Sequence, residues 1–204
     1  MGKIRVTPAF SFHLLVAGFL SLPSIAEAQW QAVEKVSAYA IKGQSGAELY
    51  ASIGERGPNV GVGRAIAHTN FKLTWSRKYE PQDDGSCILV SARPNLIITY
   101  TLPKPAATLP ATVKQDWETF ITGVTAHEKV HGEFIIDMVR QIEAVSVGLR
   151  ADADPDCKKI RTDLTKRLGE LSLAQRQRSR DFDKVELSEG GNVHQLILRL
   201  VNGY

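Results

Sequence analysis

Two periods run along this chain. Up to about residue 102 polar and apolar residues tend to alternate, and beyond about residue 110 the apolar positions recur every three to four residues. Alternation marks a half-buried strand, and the longer period marks an amphipathic helix. VEKVSAYAIKG reads as a strand ended by Gly43, and SGAELYASIGERGP as a short helix capped by Ser45 and stopped at Gly57-Pro58. In GRAIAHTNFKLTWSRKY, Phe71, Leu73 and Trp75 alternate with Lys72, Thr74 and Ser76, which predicts another strand. The polar turn EPQDDGS leads into CILVSARPNLIITYTLP, one long strand or two short ones. Pro94 has no N–H to give a ladder, so it marks an edge or a break.

LPKPAATLP holds three prolines in nine residues and is the natural boundary between the two periods. The following stretch, VKQDWETFITGVTAHEKVHGEFIIDMVRQIEAVSVGL, extends nearly forty residues as a helix, with Gly123 as its weak point. DADPDCKK breaks it; Asp154 can cap the next helix and Pro155 suits its first turn. Ile160, Leu164, Leu168, Leu171, Phe182 and Val185 trace the apolar stripe of that second helix. SEGG at 188–191 stops it, and the apolar tail VHQLILRLV follows. The fold class is therefore α+β. Residues 29–103 are expected to form a small antiparallel sheet with a short helix, and residues 104–204 a long helical hairpin.

The first 28 residues follow neither period. Lys3 and Arg5 precede an apolar run from Phe10 to Leu22, and Ala26-Glu27-Ala28 follows. That order is a secretory signal peptide, with cleavage expected after Ala28 and a periplasmic or secreted product. The run is short for a membrane span, no later segment approaches the needed length, and an uncleaved anchor is the alternative. Residues 29–204 carry 23 basic and 21 acidic side chains, a formal charge of +2 against +3 for the whole chain. So balanced a charge gives no footprint for nucleic acid. In an exported protein the pair Cys87 and Cys157 reads as a disulfide closing a loop of 70 residues, with two buried thiols as the alternative.

Residues 125–133, TAHEKVHGE, carry the chemistry. Four residues apart on a helix, His127 and His131 lie one turn apart on one face. Both can offer a ring nitrogen to one Zn2+ ion, and Glu128, about 100° further round, can act as general base and acid. The bland alternative is two surface histidines on an amphipathic helix. A zinc enzyme needs a third protein ligand and an open position. Glu133 points to another face and reads as solvated. The candidates lie in RSRDFDKVELSEGG and just beyond: Asp183 and Glu186 first, then Asp181 and His194. A hairpin turning near residue 152 puts Asp183 level with residue 121, about 9 Å from His127 along the axis, so tilt or a kink at Gly123 is needed.

YAIKGQSGAEL, FKLTW, the cysteine strand continuing to ITYTLP, Trp117 before HEKVH, the cysteine after the bend and the Phe182-Asp183 pair form a wider pattern. In these the chain resembles an uncharacterised bacterial domain family described as predicted secreted zinc-dependent proteases. The resemblance implies zinc at His127 and His131, Glu128 as catalytic acid and base, and a Cys87–Cys157 bridge. One departure matters: the family pattern continues to a Thr-x-His-Gly element, and here Ser188 stands in that histidine's place. The functional expectation is an exported zinc metallohydrolase, a peptidase with peptide or protein substrates. A non-catalytic envelope or secreted binding protein with a degenerate or structural metal site is the alternative.

Overall fold

The computed structural model describes residues 30–61 and 63–203 together with Gly2; apart from Gly2, the expected signal peptide lies outside the described residues. In chain order the elements are β1 (Val33–Ile41), α1 (Gly46–Arg56), β2 (His68–Pro81), β3 (Cys87–Pro105), α2 (Ala111–Ser146), β4 (Arg150–Ala151), α3 (Lys159–Leu187) and α4 (Asn192–Asn202). A small sheet with a short helix precedes long helices, so the chain is α+β as its two periods require. Ser45 caps α1 in a reciprocal box: its hydroxyl accepts from the Glu48 amide and the Glu48 carboxylate accepts from the Ser45 amide.

The sheet order is β1-β3-β2, with β4 on β3. The sheet was expected to be antiparallel throughout, and here the expectation is corrected. β2 runs antiparallel to β3, but β1 runs parallel to it, from Val33 opposite Ile97 to Ile41 opposite Pro105. A parallel pair needs a crossover, and the intervening α1 and β2 supply one. β3 is one continuous strand through Pro94. β1 pairs with β3 only from Ile97 onward and β4 only at Cys87 and Ile88, so at Pro94 β3 has a strand neighbour on one side alone. The proline sits where a missing N–H costs least.

One face of β3 (Leu96, Ile98, Tyr100, Leu102) is buried against Trp117, Phe120, Val124, Ile135 and Val139 of α2. Leu49 and Ile53 of α1 and Leu200 of α4 complete this core. Gly123 is not a weak point. α2 passes through it without a break, and Leu196 of α4 packs so close that a Cβ there would stand 2.3 Å from its Cδ1. Gly132 serves the same purpose on the sheet side, where a Cβ would stand 2.1 Å from the Tyr100 hydroxyl. At that level helix and strand can approach only because the side chain is missing.

A second, smaller core gathers Leu89, Ile160 and Leu164 around the Cys87–Cys157 disulfide. α3 starts at Lys159, later than Pro155 suggests, and Asp154 reaches forward to accept from the amides of Lys158, Lys159 and Ile160. The stretch from Val147 to Lys158 does not turn tightly, because β4 and the disulfide carry it out to the sheet. Arg178 of α3 consequently lies level with Asp137 of α2, which it meets at 3.0 Å. Extrapolated back along both helices, that register starts α3 about 15 Å beyond the end of α2. Of the apolar stripe expected on α3, Ile160 and Leu164 are buried, while Val185 is 67% exposed.

Candidate metal centre

On α2 the sheet-facing positions run Trp117, Phe120, Val124, Glu128, Gly132, Ile135, Val139 and Ile142, and all are buried. Seven of these eight are apolar or glycine, and the eighth is Glu128, only 5% exposed. A carboxylate in the middle of a core stripe is costly unless it is bonded. Its partner is Thr69 near the start of β2, whose hydroxyl lies 2.5 Å from Oε2 of Glu128 and 3.1 Å from its backbone oxygen. Thr69 went unnoticed in the sequence, where it is one more polar residue in a strand.

His127 and His131 occupy the flank of α2 that faces α3. Their Nε2 atoms lie 3.2 Å apart, and Oδ1 of Asp183 is 3.1 Å from the first and 2.8 Å from the second. The shifted start of α3 brings Asp183 to this level with no kink at Gly123. Zinc with bonds of about 2.0–2.1 Å and tetrahedral angles spaces its ligand atoms about 3.3 Å apart, close to the spacing found here. Two imidazoles and a carboxylate suit zinc among other divalent ions. His127, His131 and Asp183 are thus a group that could hold a metal ion. The histidine side chains are 8% and 11% exposed and Asp183 is 42% exposed, so the cluster opens to solvent on the α3 side.

Phe182 fixes the rings. It stacks on His127 with centroids 4.8 Å apart and planes 19° apart, and meets His131 edge-on at 5.5 Å. The charges are mutually adjusted. Burial alone would lower the His127 pKa, but the hydrogen bond to Asp183 and the carboxylates of Glu128, Asp183 and Glu186 outweigh it and hold the ring above its ordinary value. Burial likewise works against an ionised Asp183, and the two imidazoles overcome it, holding the carboxyl well below the usual range.

The other expected candidates stand elsewhere. Glu186 is not in the cluster: its Oε2 lies 3.8 Å from Nδ1 of His127, on the edge of the ring away from Asp183. Asp181 accepts from the Gln177 amide on the outside of α3. His194 uses Nδ1 to accept from the amide of Gly190. Ser188 donates to the Lys184 carbonyl at the end of α3. Glu133 is exposed.

Fold and site together define an α+β protein whose long helix carries two histidines facing an aspartate on its neighbour. The chain belongs to the bacterial protein family of unknown function DUF922, which matches residues 36–191. No curated protein and no solved structure matches it. Among the described residues no helix is long and apolar enough to cross a membrane, and the one pair of cysteines is bridged, which fits an exported protein.

Proposed function

We propose that this protein is an exported zinc-dependent metallohydrolase, a peptidase acting in the periplasm or outside the cell after loss of residues 1–28. One observation carries the reading: three ligand atoms from His127, His131 and Asp183 converge within about 3 Å of each other, beside a buried carboxylate one residue along the same helix. Asp183, rather than Glu186, is the third ligand, and the solvent side of the cluster leaves a position for water and substrate. Zinc held there supplies Lewis acidity toward a carbonyl oxygen and lowers the pKa of a water molecule.

The chain's own part is proton transfer and positioning. Glu128 takes the proton from the attacking water and returns it to the leaving amine. Thr69 holds one carboxylate oxygen of Glu128, so the side chain keeps one orientation through both transfers. Phe182 keeps the two imidazoles from rotating. The test is Glu128→Gln in the mature protein, assayed for zinc content and for cleavage of an unstructured polypeptide. Retained zinc with hydrolysis reduced roughly 100-fold or more supports the reading. Zinc retained and a cellular phenotype unchanged by the substitution would instead make this a binding protein with a metal site.

A further inference from the structure

The two nitrogens of the His127 ring have different surroundings. Nε2 faces Asp183 and His131, whereas Nδ1 is buried and has no hydrogen-bond partner. An imidazole that ligates a metal through Nε2 carries its proton on Nδ1, and a buried N–H with no acceptor is unfavourable. The carboxylate facing Nδ1 is that of Glu186, with Oε2 at 3.8 Å. That distance is too long for a hydrogen bond, and too short for a bridging water that needs about 2.8 Å on each leg at its own bond angle. A closure of about 0.9 Å makes the bond directly.

Glu186 is held for this purpose from its other side. Its side chain is 12% exposed, and Oε1 accepts from Asn192 Nδ2 at 2.7 Å. Asn192 opens α4, and the chain reaches it by folding back over the end of α3. A Cβ on Gly191 would stand 2.3 Å from the Val185 oxygen and 2.4 Å from that of Glu186. The turn that follows α3 therefore pins the outer oxygen of Glu186 and leaves the inner one facing His127.

We infer that Glu186 is a positioning residue of the metal centre. Its carboxylate accepts the Nδ1 proton of His127 when Nε2 is on the metal, which fixes the tautomer and the ring's aim and makes the ring a better donor. This rests on the zinc reading above and adds a role to it. Loss of such a carboxylate partner typically weakens metal binding roughly 10- to 100-fold without removing a ligand.

The experiment uses the mature, disulfide-intact protein, with zinc affinity measured by competition against a chromophoric chelator and the visible spectrum recorded with Co2+ in place of zinc. Glu186→Gln keeps the volume and an acceptor oxygen but loses the charge; Glu186→Ala loses both. The expected result is one metal per chain in all three proteins. Affinity should fall in the order wild type, Glu186→Gln, Glu186→Ala, with a total loss of roughly 10- to 100-fold. The Co2+ bands should keep the pattern of an unchanged coordination number, and metal-free melting of Glu186→Gln should stay within about 2 °C of wild type. Affinities within about 3-fold of wild type for both variants overturn the inference while leaving the zinc centre standing. Loss of binding as complete as in Asp183→Ala, with an altered Co2+ spectrum, overturns it by making Glu186 a ligand. A wild-type chain that takes up no metal overturns this inference and the zinc reading together.

Discussion

Glu128 occupies a position that packing would assign to an apolar residue, and this makes a sharp stability prediction. Replacing it with Met puts a flexible apolar side chain into a site that is 5% exposed, between Val124 and Gly132 on the sheet-facing stripe of α2. Full burial of a Met side chain contributes about 1.5–3 kcal/mol. Against this, the Thr69 hydroxyl loses its carboxylate acceptor, worth about 1 kcal/mol. It keeps the backbone oxygen of residue 128, 3.1 Å away, so no donor is left stranded. Helix propensity is nearly equal for the two residues. The net expectation is a gain of about 0.5–2 kcal/mol in the metal-free protein, or roughly 1–8 °C in Tm for a domain of this size. Urea unfolding of the chelator-treated, disulfide-intact protein measures it, free of any stabilisation by bound metal. The same variant should have no hydrolytic activity. If Glu128 is the proposed general base, its core position is one where stability and activity pull apart. A loss of more than about 1 kcal/mol in Glu128→Met would show that the carboxylate is a structural anchor, and the reasoning from the stripe would be wrong.

Four further outcomes are expected. Replacing Cys87 and Cys157 with Ser opens a loop whose ends are 70 residues apart in sequence, and urea unfolding should show a loss of about 4 kcal/mol. Gly132→Ala sets a Cβ 2.1 Å from the buried Tyr100 hydroxyl; overpacking should outweigh the gain in helix propensity and leave a net loss of about 1 kcal/mol in the same assay. Zinc affinity should rise with pH through and beyond the ordinary imidazole range, because the proton that His127 must give up is held by the nearby carboxylates. Calorimetry in two buffers of different ionisation enthalpy measures the protons released, and a flat affinity between about pH 6 and 8 would contradict it. At Asp154 burial raises the carboxyl pKa, but the amides of Ile160, Lys159 and Lys158 overcome this and hold it low. Its cap is therefore fully present above the unfolded value near 3.8 and is lost as pH falls through the lower folded one. Protection factors of the amides at residues 158–160, corrected for the intrinsic pH dependence of exchange, should fall selectively in acid.

The strands and helices were legible because burial on one face imposes a period, and Leu73, Trp75, Phe120 and Val124 each report one. The direction of β1 was not, since alternation is the same in a parallel and an antiparallel neighbour. His127, Glu128 and His131 could be read from their spacing alone, because a helix fixes the relation between residues three and four apart. Asp183 could be proposed as a ligand but not chosen over Glu186. That choice depends on how far α3 starts beyond the end of α2, which β4 and the disulfide determine through contacts with a strand some 60 residues earlier. Thr69 gave no signal: its role exists only because β2 lies under α2 at the level of Glu128.

Diffraction at the zinc absorption edge from crystals of the metal-loaded mature protein tests the central claim most directly. The account predicts a single anomalous peak about 2.0–2.1 Å from Nε2 of His127, Nε2 of His131 and an oxygen of Asp183, with a fourth position open to water. No peak between α2 and α3, or an ion whose shell leaves out either histidine, would contradict it.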